Sequence, residues 1–206
     1  MLDKYKVILW DFDGVIMDSM PVRSKGFEEV LKQYPAEQVQ ELLAFHHKNG
    51  GLSRYVKFRY FFEKIRGVSI TEEEVNNLSF DFSAIMLSLL INEKLLIQDA
   101  VNFIKKYHSS FAMHIVSGSD QTELRKICEA LGLSGYFKSI HGSPTPKTEL
   151  VRQVLEANNY NKVDVVLIGD SVNDYDAAEK NGIGFYGYNS EAVRNLSGNY
   201  IDSFQF

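Results

Sequence analysis

The chain has 206 residues, 45% hydrophobic and 13% aromatic, enough apolar side chain for one sizeable domain or a core domain with a modest insertion. Its net charge of −5, with acids and bases interspersed, argues against a nucleic-acid surface, and no apolar stretch nears the roughly 18 residues of a membrane helix. Cys128 is the only cysteine, which rules out an intrachain disulfide, and the polar start Leu2–Lys6 lacks signal-peptide anatomy, so a cytoplasmic protein is expected.

Val7–Trp10 is a short apolar run that ends on two carboxylates, Asp11 and Asp13. A run without polar alternation suits an interior strand of a parallel sheet covered on both faces. From about Ser19 to Ile91 the periodicity turns helical, with stripes at Phe27, Val30, Leu31 and Tyr34, at Val39, Leu42 and Leu43, and at Tyr55, Phe58, Phe61, Phe62 and Ile65. Thr71-Glu-Glu-Glu is a capping-box start. This block reads as an inserted α-helical subdomain, residues 18–91, with chain crossings near Ile16–Ser19 and Asn92–Ile97.

Beyond it, Phe111–Val116 predicts a second strand that ends at Ser117-Gly118-Ser119. Asp120–Gly132 predicts a helix with Leu124, Ile127, Cys128 and Leu131 on its apolar stripe and Gly132 at its end. Pro144-Thr-Pro-Lys147 opens another helix, and Val163–Ile168 is a third strand that runs into Gly169-Asp170, Ser171 and Asp174. Gly182–Gly187 matches a dinucleotide-binding pattern literally but follows a helix and is rich in aromatics, so it reads as a fourth strand. The alternation predicts an α/β fold, a Rossmann-like doubly wound parallel sheet formed by residues 1–17 and 92–206, with the helical unit inserted. His46 and His47 are adjacent and make a poor chelate, and Cys128 reads as core. Asn77-Leu-Ser79 and Asn195-Leu-Ser197 match a glycosylation pattern that means little without a secretion signal.

In an open α/β sheet, ligands bind beyond the carboxyl ends of the strands. Each apolar run delivers its polar residues at that end: Asp11 and Asp13, then Ser117 to Ser119, then Asp170, Ser171 and Asp174, with Lys147 at a helix start within reach. Carboxylates gathered there repel one another and need positive charge, which a hard cation and one lysine supply. Mg²⁺ suits, because it takes one or two carboxylates and completes its shell with water and phosphate oxygens. The matching substrate is a phosphoryl group. Asp11 can attack it, Asp13 can act as acid and then base, and Ser117 with loop amides such as that of Gly118 can hold its oxygens while Lys147 neutralises charge.

Asp11-Phe-Asp-Gly-Val, the strand ending in Ser117, Lys147 and Gly169-Asp170-Ser-Val-Asn-Asp174 together resemble the four motifs of the haloacid dehalogenase superfamily, in the right order and across nearly the whole core. The resemblance implies Mg²⁺ dependence, Asp11 as nucleophile and Asp13 as general acid/base. It implies metal ligation by the Asp11 carboxylate, the Asp13 backbone carbonyl and Asp170, with Asp174 supporting the metal or orienting Lys147. The helical insertion is similar to the family's C1-type cap. Gly50-Gly-Leu-Ser-Arg54 resembles a cap segment of phosphoglycolate-phosphatase-like and β-phosphoglucomutase-like relatives, which implies that Arg54 meets a substrate anion; Lys57 and Arg59 carry no assigned role. The expectation is a Mg²⁺-dependent phosphatase acting on a small phosphate ester, without nucleic-acid or membrane partners, as a monomer or homodimer. The alternatives are a phosphosugar mutase with the same chemistry and a non-catalytic phospho-ligand sensor.

Overall fold

The structure, a computed structural model, describes residues 2–196 and 198–204; Met1, Gln205 and Phe206 at the ends of the expected core, and Ser197 of the second Asn-x-Ser pattern, lie outside the described residues. A six-stranded all-parallel sheet forms the centre, in the order β3-β2-β1-β4-β5-β6. Its strands are β1 (Val7–Trp10), β2 (Ala112–Asp120), β3 (Ser139–Ser143), β4 (Val165–Gly169), β5 (Gly184–Tyr188) and the short β6 (Tyr200–Ile201). All four residues of β1 are buried, because the strand lies between β2 and β4 and is covered on both faces. Its side chains alternate: Val7 and Leu9 join one core cluster with Leu150, Val154, Leu167 and Ala178, whereas Ile8 and Trp10 join the other with Ile104, Ile127 and Ile168. The helices that cover the sheet are α5 (Gln98–Tyr107), α6 (Gln121–Ala130), α7 (Lys147–Ala157), α8 (Val172–Asn181) and the one-turn α9 (Glu191–Arg194).

Four helices lie between β1 and α5: α1 (Met20–Val30), α2 (Ala36–Lys48), α3 (Arg54–Tyr60), continued by a wider turn over Phe61–Ile65, and α4 (Glu72–Leu90). They pack on an aromatic centre in which the Phe27 ring lies 5.4 Å from Phe58 and 4.6 Å from Phe82. Thr71 forms the full capping box with Glu74. The two chain crossings into this unit bond to each other: Met17 bridges Leu96, the Asp18 N–H donates to the Leu95 carbonyl at 2.8 Å, and the Ile97 N–H to the Ile16 carbonyl at 2.9 Å. A paired neck of this kind holds both crossings at one point on the core.

Two strand boundaries differ from the sequence expectation, and β3 and β6 are strands that it lacks. β2 runs on through Ser117–Ser119 to Asp120, with a register irregularity after Val116 that keeps it paired to β3. β4 begins at Val165, because Lys162–Asp164 form a tight helical turn with Val163 exposed. β3 carries no apolar run: its Ser-Ile-His-Gly-Ser lies at a sheet edge, where continuous burial is not required. No helix among the described residues is long and apolar enough to cross a membrane.

Candidate active site

Register brings the strand-end residues together. Trp10 pairs with Ile115 on one side and Ile168 on the other, so Asp11 emerges level with the ends of both neighbours, its N–H bonded to the Ile168 carbonyl at 3.0 Å. Asp11, Asp170 and Asp174 each offer a carboxylate oxygen within 4.8 Å of the others. Lys147, the first residue of α7, reaches Asp11 Oδ1 at 2.7 Å and also pairs with Asp174. The second oxygen of Asp174 caps α8, accepting from the Ser171 N–H at 3.0 Å and hydroxyl at 2.6 Å. Both Asp174 oxygens are therefore engaged, which suits the orientation of Lys147. Gly14 has φ +77°, and a Cβ there would overlap the Asp170 carboxylate, so glycine is required at the turn that lets two acids approach.

Three acids share one lysine. Burial and then the neighbouring Asp174 carboxylate push the Asp11 carboxyl up to about 7, and burial with Asp11 and Asp174 raises Asp170 well above the ordinary carboxylate range. Burial works to lower the Lys147 ammonium, but Asp11 and Asp174 outweigh it and hold it protonated. An excess of buried, oxygen-only acids over cations is the donor set of a hard divalent ion, and the residues present fit one.

The Asp13 side chain turns away from that cluster. It accepts from Arg23 Nε at 2.6 Å, from the Ser119 hydroxyl at 2.5 Å and from the Ser19 hydroxyl. Burial opposes its ionisation, but Arg23 and the two hydroxyls hold the carboxyl below its usual range. Ser117 is fully buried, and its Oγ accepts from the Ser119 N–H at 3.1 Å. Gly118 lies against the Gly51 carbonyl of the helical unit so closely that a Cβ would overlap it. Arg54, the first residue of α3, is buried and committed: Nη2 meets Glu123 Oε2 at 2.7 Å, Nη1 meets Ser83 Oγ at 2.6 Å, and the guanidinium lies 4.5 Å over the Phe82 ring. Arg59 pairs with exposed Glu72 at 2.5 Å. Lys138 is exposed, so Lys147 is the lysine that reaches the acids.

Sequence reasoning misses Arg23, Ser19 and Glu123. Glu123, in the first turn of α6, is 1% exposed and takes Arg23 Nη1 at 3.1 Å as well as Arg54. Arg23 lies on a helix with little apolar periodicity, and its partners Asp13 and Glu123 are 10 and 100 residues away, so no helical repeat marks it. A narrow cavity of about 20 Å³ lies between core and helical unit, lined by Asp11, Asp13, Gly118 and Ser119 from below and by Arg23, His46, Gly51, Arg54 and Lys57 from above. Its space is that of about one water molecule, with acids on the floor and cations in the roof.

The chain is similar to known proteins in sequence and in fold. A fructose-1-phosphate phosphatase of Escherichia coli K12 is 25% identical over 161 residues, covering 73% of this chain and 80% of that protein. A phosphoglycolate phosphatase of Aquifex aeolicus is 24% identical over 193 residues, covering 86% and 81%. The fold matches that of CbbY from Rhodobacter sphaeroides, solved with phosphate, at TM-score 0.76 and 15% identity over 97% of this chain and 95% of that one. It likewise matches a β-phosphoglucomutase from Clostridium difficile at TM-score 0.75 and 18% identity, over 97% and 92%. Residues 8–188 match the family model of haloacid dehalogenase-like hydrolases, the span from β1 to the last residue of β5, and the chain is an enzyme of that family.

Proposed function

We propose that this enzyme, a phosphoric monoester hydrolase, is a Mg²⁺-dependent phosphatase that cleaves small phosphorylated metabolites through an aspartyl-phosphate. The observation that carries the reading is the cluster of Asp11, Asp170 and Asp174 around Lys147 at the carboxyl ends of β1 and β4. Asp11, Asp170 and the Asp13 backbone carbonyl, with Asp174 in support, would hold Mg²⁺, which when bound supplies positive charge at the transferring phosphoryl group.

Asp11 attacks phosphorus, and Asp13, which must turn from Arg23 toward the leaving oxygen and take up a proton from solvent as substrate binds, gives that proton to the leaving alcohol. Asp13 then takes a proton from the water that hydrolyses the aspartyl-phosphate, and the phosphoryl group leaves as inorganic phosphate. Ser117 and the Gly118 amide hold phosphoryl oxygens, and Lys147 offsets the charge that develops on them. The unit of residues 18–91 acts as a cap over the cavity, which restricts substrates to small molecules and excludes bulk water during transfer. The names of the relatives support the class, since both curated proteins above are phosphatases of small phosphorylated compounds.

Hydrolysis of p-nitrophenyl phosphate with Mg²⁺ tests the reading. Asp11→Asn should lower kcat by ~10³-fold or more while the fold is retained. Equal activity in both proteins would remove Asp11 as nucleophile. Bisphosphate-dependent isomerisation of a sugar phosphate, in place of phosphate release, would assign the mutase chemistry instead.

A further inference from the structure

Both oxygens of Asp13 are occupied by donors outside the cluster around Lys147. Oδ1 accepts from Arg23 Nε and the Ser19 hydroxyl, and Oδ2 accepts from the Ser119 hydroxyl. Arg23 is itself shared, since its Nη1 reaches Glu123 Oε1 at 3.1 Å. These contacts close a ring: Asp13 to Arg23, Arg23 to Glu123, and back through the chain from Glu123 to Ser119, whose hydroxyl returns to Asp13. Asp120 braces the ring, accepting the Glu123 N–H at 3.0 Å on Oδ1 and the hydroxyl of cap residue Tyr55 at 2.8 Å on Oδ2.

Arg23 and Glu123 are both buried, and the second oxygen of Glu123 lies 2.7 Å from Arg54 Nη2. Two buried guanidiniums therefore meet two carboxylates, and Arg23 touches both of them. Glu123 lies in the first turn of α6, where the helix N–H groups favour an anion. Asp13 cannot serve a leaving oxygen while it stays on Arg23. A buried cation stripped of its only carboxylate is strongly destabilising, so an arginine with Asp13 as sole partner would clamp it. Because Glu123 remains on Nη1 when Asp13 leaves Nε, Arg23 keeps a counter-anion throughout.

Resting on the phosphatase reading, in which Asp13 is the acid, we infer that Glu123 is a positioning residue for Asp13: it holds Arg23 while Asp13 turns to the leaving oxygen, and so sets how readily the acid is released. Glu123 does not line the cavity and acts through Arg23. The other two holds on Asp13 are neutral hydroxyls, which a leaving oxygen can replace at small cost. The charge of Glu123 then matters to the reaction only while Arg23 is present, and only where the leaving oxygen needs a proton.

The test compares two esters by kcat/KM, which covers only the steps up to departure of the leaving group. p-Nitrophenyl phosphate releases a stable anion and needs little from an acid, whereas 2-hydroxyethyl phosphate releases an alcohol and needs the proton. Glu123→Gln should lower kcat/KM for 2-hydroxyethyl phosphate ~10-fold or more and for p-nitrophenyl phosphate less than ~3-fold; in an Arg23→Gln background it should change neither by more than ~3-fold. Equal losses on both esters would reduce Glu123 to a structural support and overturn the proposal, as would no loss, or a loss that persists without Arg23. Should Glu123→Gln not fold, Arg54→Met beside it rebalances the buried charge, and the same comparisons are made against Arg54→Met. A second readout needs no turnover. The coupling between Asp13 and Arg23, read from urea unfolding of Asp13→Asn, Arg23→Gln and the double variant, should rise ~10-fold or more in the unfolding constant in the Glu123→Gln background. An unchanged coupling would overturn the proposal. A raised coupling in a protein whose wild type cleaves neither ester would instead overturn the phosphatase reading and leave the hold of Glu123 on Arg23 standing.

Discussion

Lys57 carries its charge into the protein interior at a cost that pH can relieve. Burial first, then Arg23, Arg54 and Lys147, lower its ammonium from 10.5 to about 7, with only Asp13 among the charged neighbours pulling upward; neutral His46 contacts it directly. The unfolded chain therefore binds a proton that the folded chain releases between about pH 7 and 10.5. The sign follows: the penalty is full below pH 7, and stability gains a rising contribution as pH climbs through that window. Urea unfolding of the ligand-free protein at pH 6.5 and 9.5 should show a positive pH slope that Lys57→Met flattens; a slope unchanged by the substitution would mean that Lys57 titrates normally. Glu123 works in the opposite way, since its buried carboxylate is what makes two buried arginines tolerable.

At the scale of elements, the decisive contact is between the β2 end and the loop before α3. The Gly51 carbonyl lies over Gly118, and a Cβ on Gly51 would in turn meet Ser171 at the start of α8. Both strand-end loops thus abut one cap loop, and the lack of side chains there sets how closely the cap can approach. Gly118→Ala should hold the cap away from the core and lower kcat/KM by ~10²-fold, with the melting temperature within about 3 °C of wild type, because the cost falls on an interface and not on either core. Wild-type kcat/KM in that variant would show that the close approach is dispensable. The cap itself is stabilised elsewhere, by the Phe27, Phe58 and Phe82 cluster and by the Thr71–Glu74 capping box.

For the molecule as a whole, charge separates across the cavity: an acidic floor on the sheet, a cationic roof on the cap. Ligand-free, the floor is frustrated, since burial and mutual repulsion raise both Asp11 and Asp170. A divalent ion bound only by the folded state should therefore stabilise the whole protein. Mg²⁺ at about 100 times its Kd adds ~2.7 kcal/mol, a rise of ~5–10 °C in melting temperature for a chain of this size. Thermal unfolding with Mg²⁺ and with EDTA checks this, and Asp170→Asn should lose most of the difference; an identical shift in that variant would move the ion to another site.

The sequence by itself determined the sheet's interior and the acids gathered at its carboxyl end. Central parallel strands must be apolar on both faces, so β1 and β4 stand out as unbroken runs, and the acids that follow them lie at one end because parallel strands share a direction. Helical stripes and the Thr71 capping box were equally local. Tertiary structure alone decided the edge strand β3, whose half-covered position needs no apolar run, and the continuation of β2 through polar Ser117–Asp120. It also decided the roof of the site. Arg23, Arg54 and Lys57 look alike as charges on the inserted helices, and only the placement of Asp13 and of Glu123 from a distant helix separates the two that meet carboxylates from Lys57, which meets the Gly50 carbonyl and His46. Pairing across 100 residues leaves no periodic trace in a sequence, whereas a backbone pattern repeats every two or every 3.6 residues and does.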